Sequence, residues 1–172
     1  MKTIYKEWHQ TFPNSGQGKQ YPWLLELVQS YKPKTMLDWG CGKGGTIQWL
    51  NQLYPDIKIQ GYDPGNPDYR ELPQGRFDMV YSCDVLEHVE IMDIPDTIAE
   101  IKKYSKRSAH IIDLTPAKKI LPDGRNAHVT LMSADDWQQK LDQYAEAELI
   151  RIYHEPDKKF HHRSRVCIVL KH

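Results

Sequence analysis

A carboxylate stands immediately before a cluster of glycines in the stretch DWGCGKGG, which runs from Asp38 to Gly45. Glycines let the backbone pass close to a ligand and adopt turns that a side chain would forbid. Gly40, Gly42 and Gly45 match the G-x-G-x-x-G spacing of a dinucleotide site, but that spacing alone is a weak signal. The negative charge of Asp38 would repel a pyrophosphate and attract an ammonium group. The stretch therefore predicts a site for a ligand that carries a cationic amine.

A second acidic residue, Asp63, ends the next β-rich run in IQGYDPG. A carboxylate at that place can accept hydrogen bonds from both hydroxyls of a ribose. S-adenosylmethionine carries a ribose and an ammonium group, and its carboxylate can be received by a helix N-terminus. Asp38 and Asp63 together therefore favour this methyl donor.

Acidic and histidine side chains are concentrated in SCDVLEHVE, directly after the third β-rich run. Asp84, Glu87 and His88 are spaced so that on a helix they would share one face. Two carboxylates and an imidazole can bind a divalent cation. His128 lies in a later loop segment, GRNAHVT, which leaves a neighbouring strand and can reach the same rim. We therefore treat these four residues as candidate catalytic residues.

The elements that must position these residues alternate along the chain. The patterns predict helices at 21–31, 47–53, 95–104 and 135–144, and strands at 35–39, 57–62, 77–82, 110–114, 148–154 and 165–170. Strands that alternate with helices indicate a mainly parallel sheet covered on both faces, and the last two strands indicate an antiparallel end. Ser133 and Asp136 resemble a capping box at the last helix, and Trp137 is predicted to lie in the core. The predicted fold class is α/β.

Length and composition limit the function. The 172 residues fit one domain, 1–172, with a loose lead-in at 1–20 that could close over a site. Because 23 basic residues balance 23 acidic ones, long duplex DNA is not an expected partner. Without a long apolar run or the apolar core of a signal peptide, we expect a cytoplasmic protein with no membrane partner. The three cysteines form no CxxC pair, so neither a disulfide frame nor a cysteine zinc site is expected.

The chain resembles the class I S-adenosylmethionine-dependent methyltransferases over most of residues 33–171. The resemblance rests on three motifs, which occur in the order LDWGCGKGG, GYD and FDMVYSCDVLEHV. The resemblance implies that enzyme class, a Rossmann-like sandwich and S-adenosyl-L-methionine as the cofactor. The cofactor contacts that it implies are Asp38, Gly40, Cys41, Gly42, Asp63, Pro64, Ser82 and Cys83. The family usually fits a helix and an edge strand after the ribose-binding acid, but here only PGNPDYRELPQGR is present. We therefore expect the third, edge strand to be reduced or missing.

The acidic-x-x-Glu-His pattern with a later loop histidine resembles two metal-dependent branches of this family, the ubiquinone-type O-methyltransferases and the small-RNA 3′-terminal 2′-O-methyltransferases. It implies Asp84, Glu87, His88 and His128 as ligands of Mg²⁺ or Mn²⁺, which would lower the pKa of an acceptor hydroxyl. Asp84 departs from the pattern, which has glutamate there. Metal-free members also carry Leu-Glu-His, so His88 can instead act as a general base or pack beside the cofactor.

Three functions follow from these residues. The first is methylation of an oxygen or nitrogen of a small-molecule acceptor. The second is metal-dependent 2′-O-methylation of an RNA terminus, and the third is a cofactor-binding regulatory subunit without activity of its own. Basic residues at 118, 119 and 125 and in the segment 158–165 are interpreted as solvated surface, with contact to a phosphate or carboxylate of the substrate as the alternative. The aromatic residues Tyr5, Trp8, Phe12, Tyr21 and Trp23 are interpreted as a lid or a hydrophobic latch.

Overall fold

The structure, a computed structural model, describes residues 18–157 and 161–172. Most of the lead-in predicted at 1–20 lies outside these ranges, as do Tyr5, Trp8 and Phe12. The chain divides into two compact units after Tyr81. Within the described ranges, no helix combines the length and the apolar character that a membrane crossing requires.

The helices and strands follow the predicted alternation. The first unit contains α1 (Pro22–Tyr31), β1 (Thr35–Trp39), α2 (Gly45–Leu53), β2 (Lys58–Tyr62) and the start of β3 (Met79–Cys83). The second contains a 3₁₀ helix (Leu86–His88), α3 (Ile94–Lys102), β4 (Arg107–Asp113), α4 (Ala134–Asp142), β5 (Glu146–Asp157) and β6 (His161–Lys171). The six strands form one mixed sheet in the order β2-β1-β3-β4-β6-β5, which confirms the predicted α/β fold.

The first unit has a strongly apolar central strand. β1 runs parallel to β2 and to β3. Met36 to Trp39 are consecutively buried, as expected for a parallel strand that is covered on both faces. β2 is the edge strand, and residues 63–78 contain only turns and irregular backbone. The predicted loss of the family's usual edge strand is therefore confirmed.

The second unit ends in the predicted antiparallel strands. β4 pairs antiparallel with β6, and β6 pairs antiparallel with β5. Both last strands are longer than predicted, because their backbone pairing continues into the polar segment that sequence reasoning assigned to a loop. Ser133 Oγ accepts a hydrogen bond from the Asp136 N–H at 3.1 Å, which confirms the predicted cap of α4. Trp137 is fully buried, as predicted.

Candidate active site

The N–H groups of the glycine loop after β1 form hydrogen bonds within the protein. Gly40 and Gly42 have φ of 80° and 57°, a left-handed conformation that glycine adopts readily. The N–H groups of Gly40 and Cys41 both donate to the Tyr62 carbonyl, at 2.7 and 3.2 Å. Because these donors are engaged within the protein, they do not form a nest for a pyrophosphate. This geometry agrees with the expectation of a cationic ligand.

Asp63 fastens the turn after β2 to the glycine loop. Its two carboxylate oxygens accept hydrogen bonds from the N–H groups of Gly42 and Gly65, each at 2.8 Å. Asn66 Nδ2 donates to the Gly42 carbonyl at 2.6 Å. Pro64, predicted as a cofactor contact, lies half-buried within this turn. A carboxylate oxygen can accept more than one hydrogen bond, which is compatible with the predicted binding of ribose hydroxyls by Asp63.

Asp38 is a buried carboxyl group in the middle of the unit. It is 2% exposed and lies next to Tyr81 in the register of β1 and β3. Burial raises the pKa of Asp38 to about 8; the Tyr81 hydroxyl opposes this shift and the negative charge of Asp63 adds to it. A positively charged ligand would relieve both the burial cost and the repulsion. The structure therefore places the two predicted anchors in one electrostatic environment.

Tyr69 covers the glycine loop and was not predicted from the sequence. A Cβ atom on Gly44 would collide with the Tyr69 hydroxyl. A Cβ atom on Gly61 would lie 2.7 Å from Cys41 Sγ and 2.8 Å from the Tyr69 ring. The two glycines therefore leave the space that the Tyr69 ring and the buried Cys41 fill. Tyr69 and Asn66 both lie in the shortened segment between β2 and β3, and neither belongs to a recognisable motif.

Ser82 and Cys83, the remaining predicted cofactor contacts, belong to the second unit. Ser82 is fully buried, and its Oγ lies 2.8 Å from His110 Nδ1. His110 Nε2 lies 2.9 Å from Ser108 Oγ, which continues the chain of hydrogen bonds. Burial lowers the pKa of His110 to about 3, so the imidazole is neutral. Cys83 is half-buried, and the cofactor role of both residues stays a prediction.

Three of the four predicted catalytic residues come together. Glu87, His88 and His128 each offer a ligand atom, and these atoms lie within 4.8 Å of one another. His88 Nδ1 lies 2.8 Å from the Ala127 carbonyl, and His128 Nδ1 lies 2.5 Å from the Thr115 carbonyl. Because a carbonyl only accepts, both Nδ1 atoms carry a proton, so in the neutral form of each imidazole the lone pair is on Nε2. Hydrogen bonds of this kind orient the histidine ligands of metal ions.

Glu87 supplies the carboxylate of this cluster. It is fully buried, and Oε1 accepts a hydrogen bond from the Asp113 N–H at 3.2 Å. Oε2 is also buried and has no hydrogen-bond partner among the described residues. Burial, and next the charge of Asp84, raise the pKa of Glu87 well above its usual value. An orphaned carboxylate oxygen beside two imidazole lone pairs fits a divalent cation, which would stabilise the ionised form.

Asp84 is arranged differently from the sequence-based expectation. It precedes the 3₁₀ helix and has φ of 54°, so it is not on a helix with Glu87 and His88, and the prediction of a shared helical face is wrong. Its carboxylate forms a bidentate pair with Arg165, at 2.7 Å from Nε and 3.0 Å from Nη2. Arg165 is 1% exposed, so its interpretation as solvated surface is also wrong. By contrast, Arg125 is exposed, as expected.

The comparison with known families identifies the class of the protein. A family model described as a methyltransferase domain matches residues 17–157. The chain belongs to this methyltransferase family. The match confirms the enzyme class that the three sequence motifs imply. A search of curated proteins finds no match to this methyltransferase.

Solved structures with the same fold include several methyltransferases. Magnesium protoporphyrin IX methyltransferase (ChlM) from Synechocystis PCC 6803, with bound SAH, has a TM-score of 0.65 and 15% identity, and the match covers 99% of this chain and 100% of that one. The mitomycin 7-O-methyltransferase MmcR has a TM-score of 0.58 and 12% identity, with 83% and 50% covered. The methyltransferase domain of bacterial CtHen1-CN has a TM-score of 0.56 and 14% identity, with 88% and 96% covered. At these identities the likeness confirms the Rossmann-like fold.

Proposed function

We propose that this methyltransferase transfers a methyl group from S-adenosyl-L-methionine to an oxygen or nitrogen of a small-molecule acceptor. The observation that carries the donor assignment is the buried carboxyl of Asp38 beside Asp63 and the glycine loop. Asp38 would bind the methionine ammonium, and Asp63 would accept the ribose hydroxyls. The bound SAH in ChlM and the O-methyltransferase activity named for MmcR support this assignment of donor and acceptor class.

The acceptor is proposed to bind at the cluster of Glu87, His88 and His128. A divalent cation would be held there by Glu87 Oε2 and the two Nε2 atoms, and as a Lewis acid it would lower the pKa of an acceptor hydroxyl. Support comes from the Nδ1–H donors, which fix the tautomer of both histidines, and from the orphaned Oε2. The protein groups bind and orient the acceptor, and alignment of donor and acceptor supplies much of the acceleration, because a sulfonium is intrinsically reactive.

Calorimetry tests the donor site. Wild type should bind S-adenosylhomocysteine, and Asp38→Asn and Asp63→Asn should each lower its affinity by at least tenfold. Asp68→Asn, an exposed carboxylate in the same turn, is the matched control and should leave the affinity unchanged. Unchanged affinity in Asp38→Asn, or uptake of NAD in place of S-adenosylhomocysteine, would contradict the assignment.

Turnover with a panel of acceptors tests the second site. Glu87→Gln and His88→Ala should lose turnover while they keep affinity for S-adenosylhomocysteine, because neither residue belongs to the donor-binding set. A chelator should abolish wild-type turnover, and the added metal should restore it. Full turnover in excess chelator would exclude a role for a cation. His88 would then be the proposed general base, which accepts the acceptor's proton at Nε2.

An RNA terminus is the second candidate acceptor. It is favoured by the fold similarity to the CtHen1-CN methyltransferase domain and by the acidic-x-x-Glu-His pattern with His128. Short RNA that binds with a strong salt dependence and accepts a 2′-O-methyl group would support it. Binding of S-adenosylhomocysteine without turnover on any acceptor class would instead favour a regulatory subunit that needs a partner.

A further inference from the structure

We infer that Arg165 is a positioning residue that withholds Asp84 and Asp113 from the cation site, so that one carboxylate and two imidazoles select a transition-metal ion over Mg²⁺. This inference rests on the proposed function of the Glu87–His88–His128 cluster. It assigns a role to an arginine that belongs to no recognisable motif.

Arg165 is a buried cation surrounded by carboxylates. Besides the bidentate pair with Asp84, Nη2 lies 3.3 Å from Asp113 Oδ2 and Nη1 lies 2.7 Å from Glu155 Oε2. The Arg165 and Asp113 side chains are each 1% exposed, so this ion pair is shielded from water. Removal of one partner from such a network leaves an uncompensated buried charge. The planar guanidinium therefore fixes the Asp84 carboxylate through two hydrogen bonds, whereas its contact with Asp113 is an ion pair that Arg163 shares, with Arg163 Nη1 3.1 Å from the same Asp113 oxygen.

Asp113 transmits this anchoring to the cluster. Its N–H donates to Glu87 Oε1, and its Oδ1 accepts hydrogen bonds from the N–H and hydroxyl of Thr115, at 2.9 and 2.5 Å. The Thr115 carbonyl in turn accepts the proton of His128 Nδ1. Arg165 is thus connected, through Asp113, to two of the three members of the cluster. A substitution of Arg165 should therefore alter the positions of Glu87 and His128 as well as the stability of the fold.

Two alternative cation sites share Glu87. Ligand atoms of Asp84, Glu87 and Asp113 also lie within 4.8 Å of one another, which would make an all-oxygen site of the type that Mg²⁺ prefers. Arg165 binds Asp84 through two hydrogen bonds, and Arg165 and Arg163 both pair with Asp113. What remains for a cation is Glu87 with His88 and His128, and imidazole ligands suit Zn²⁺, Co²⁺ or Fe²⁺ better than Mg²⁺. By holding Asp84, Arg165 therefore favours the site with two imidazole ligands over the all-oxygen site.

Titration of the full chain with CoCl₂, ZnCl₂ and MgCl₂ tests the inference without any turnover. Wild type should bind one Co²⁺ or Zn²⁺ at least a hundredfold more tightly than Mg²⁺, and His128→Ala should weaken Co²⁺ binding at least tenfold. Arg165→Gln should open the all-oxygen site, raise Mg²⁺ affinity at least tenfold and weaken the visible Co²⁺ absorption, because added carboxylate ligands raise the coordination number. Arg125→Gln removes an exposed arginine that pairs with Glu90 and Asp123, and it should change neither readout.

Asp84→Asn gives a second test if Arg165→Gln does not fold. Asparagine tolerates the left-handed conformation of this position and keeps an oxygen for Arg165. Co²⁺ affinity should stay within twofold of wild type, because Asp84 is not a ligand. A loss of tenfold or more, a wild-type preference for Mg²⁺, or no binding of any of the three metals would overturn the inference. Binding of S-adenosylhomocysteine is measured on the same samples, so failure of the metal inference is distinguishable from failure of the methyltransferase proposal.

Discussion

The imidazole rings of His88 and His128 meet edge to face, with their centroids 4.8 Å apart. They come from different segments, and Thr130 joins these segments. The Thr130 hydroxyl donates to the Val89 carbonyl at 2.7 Å, and the Thr130 N–H donates to the Glu87 carbonyl at 3.1 Å. The loop that carries His128 is therefore fastened to the 3₁₀ helix that carries the other two members of the cluster.

Thr130→Val should lower Co²⁺ affinity and turnover while the protein still folds. The substitution keeps the shape but leaves the buried Val89 carbonyl without this donor, at a cost of about 1–2 kcal/mol in the free energy of unfolding. Co²⁺ affinity and turnover should fall at least fivefold. Thr97→Val is the control, because the Thr97 hydroxyl also donates to a carbonyl, that of Asp93 immediately before α3, and this carbonyl keeps the Thr97 N–H as a donor. It should cost less stability in urea denaturation and leave Co²⁺ affinity unchanged; equal losses of Co²⁺ affinity in both variants would contradict the role of Thr130.

Asp38 should make the ligand-free protein less stable as the pH rises. Its pKa is about 8 in the fold against an ordinary value of 3.8, so the folded state binds the extra proton between these limits. That stabilisation is complete below about pH 4 and is lost as the pH rises through about 8, at up to about 1.4 kcal/mol per pH unit. Asp38→Asn mimics the neutral form and should unfold at a higher temperature than wild type at pH 8. Parallel pH profiles of the two melting temperatures would contradict this prediction.

Affinity for S-adenosylhomocysteine should rise with pH, whereas the stability of the ligand-free protein should fall. The ionised form of Asp38 pairs with the ligand's ammonium group, so binding below pH 8 must expel the proton of the carboxyl. The association constant should therefore rise with pH by up to about tenfold per unit and level off near pH 8. Calorimetry in buffers of different ionisation enthalpy counts the released proton. The Asp38→Asn variant reports the titration of the ligand's own amine, and the difference between the variants isolates Asp38.

Local signals predicted most of the first unit. β1 begins and ends at the predicted residues, and Asp38 and Asp63 lie where their motifs place them, because strand pattern and glycine turns depend on neighbouring residues. Arg165 was missed because its burial depends on carboxylates from distant segments, which no local pattern reveals. Asp84 was misplaced because spacings of three and four assume a helix, whereas its left-handed backbone precedes a single 3₁₀ turn.

Gly44→Ala should destabilise the first unit through two separable effects. Gly44 has φ of 75°, which costs a residue with a side chain about 1–2 kcal/mol, and the new methyl group would also displace the Tyr69 ring. Gly75 has a similar φ of 82°, but no atom lies within 4 Å of the place where its Cβ would be. Gly75→Ala therefore measures the backbone cost alone, and urea denaturation should show a larger loss for Gly44→Ala, by about 1–3 kcal/mol.

A double-mutant cycle with Tyr69→Ala separates the two effects of Gly44→Ala. In the Tyr69→Ala background the steric part disappears, and Gly44→Ala should cost no more than Gly75→Ala. Because Tyr69 lies over the loop that Asp63 and Asn66 hold, Gly44→Ala alone should also weaken S-adenosylhomocysteine binding, whereas Gly75→Ala should not. If Gly44→Ala cost the same in both backgrounds, the Tyr69 ring would not restrict this position, and the packing described for the glycine loop would be wrong.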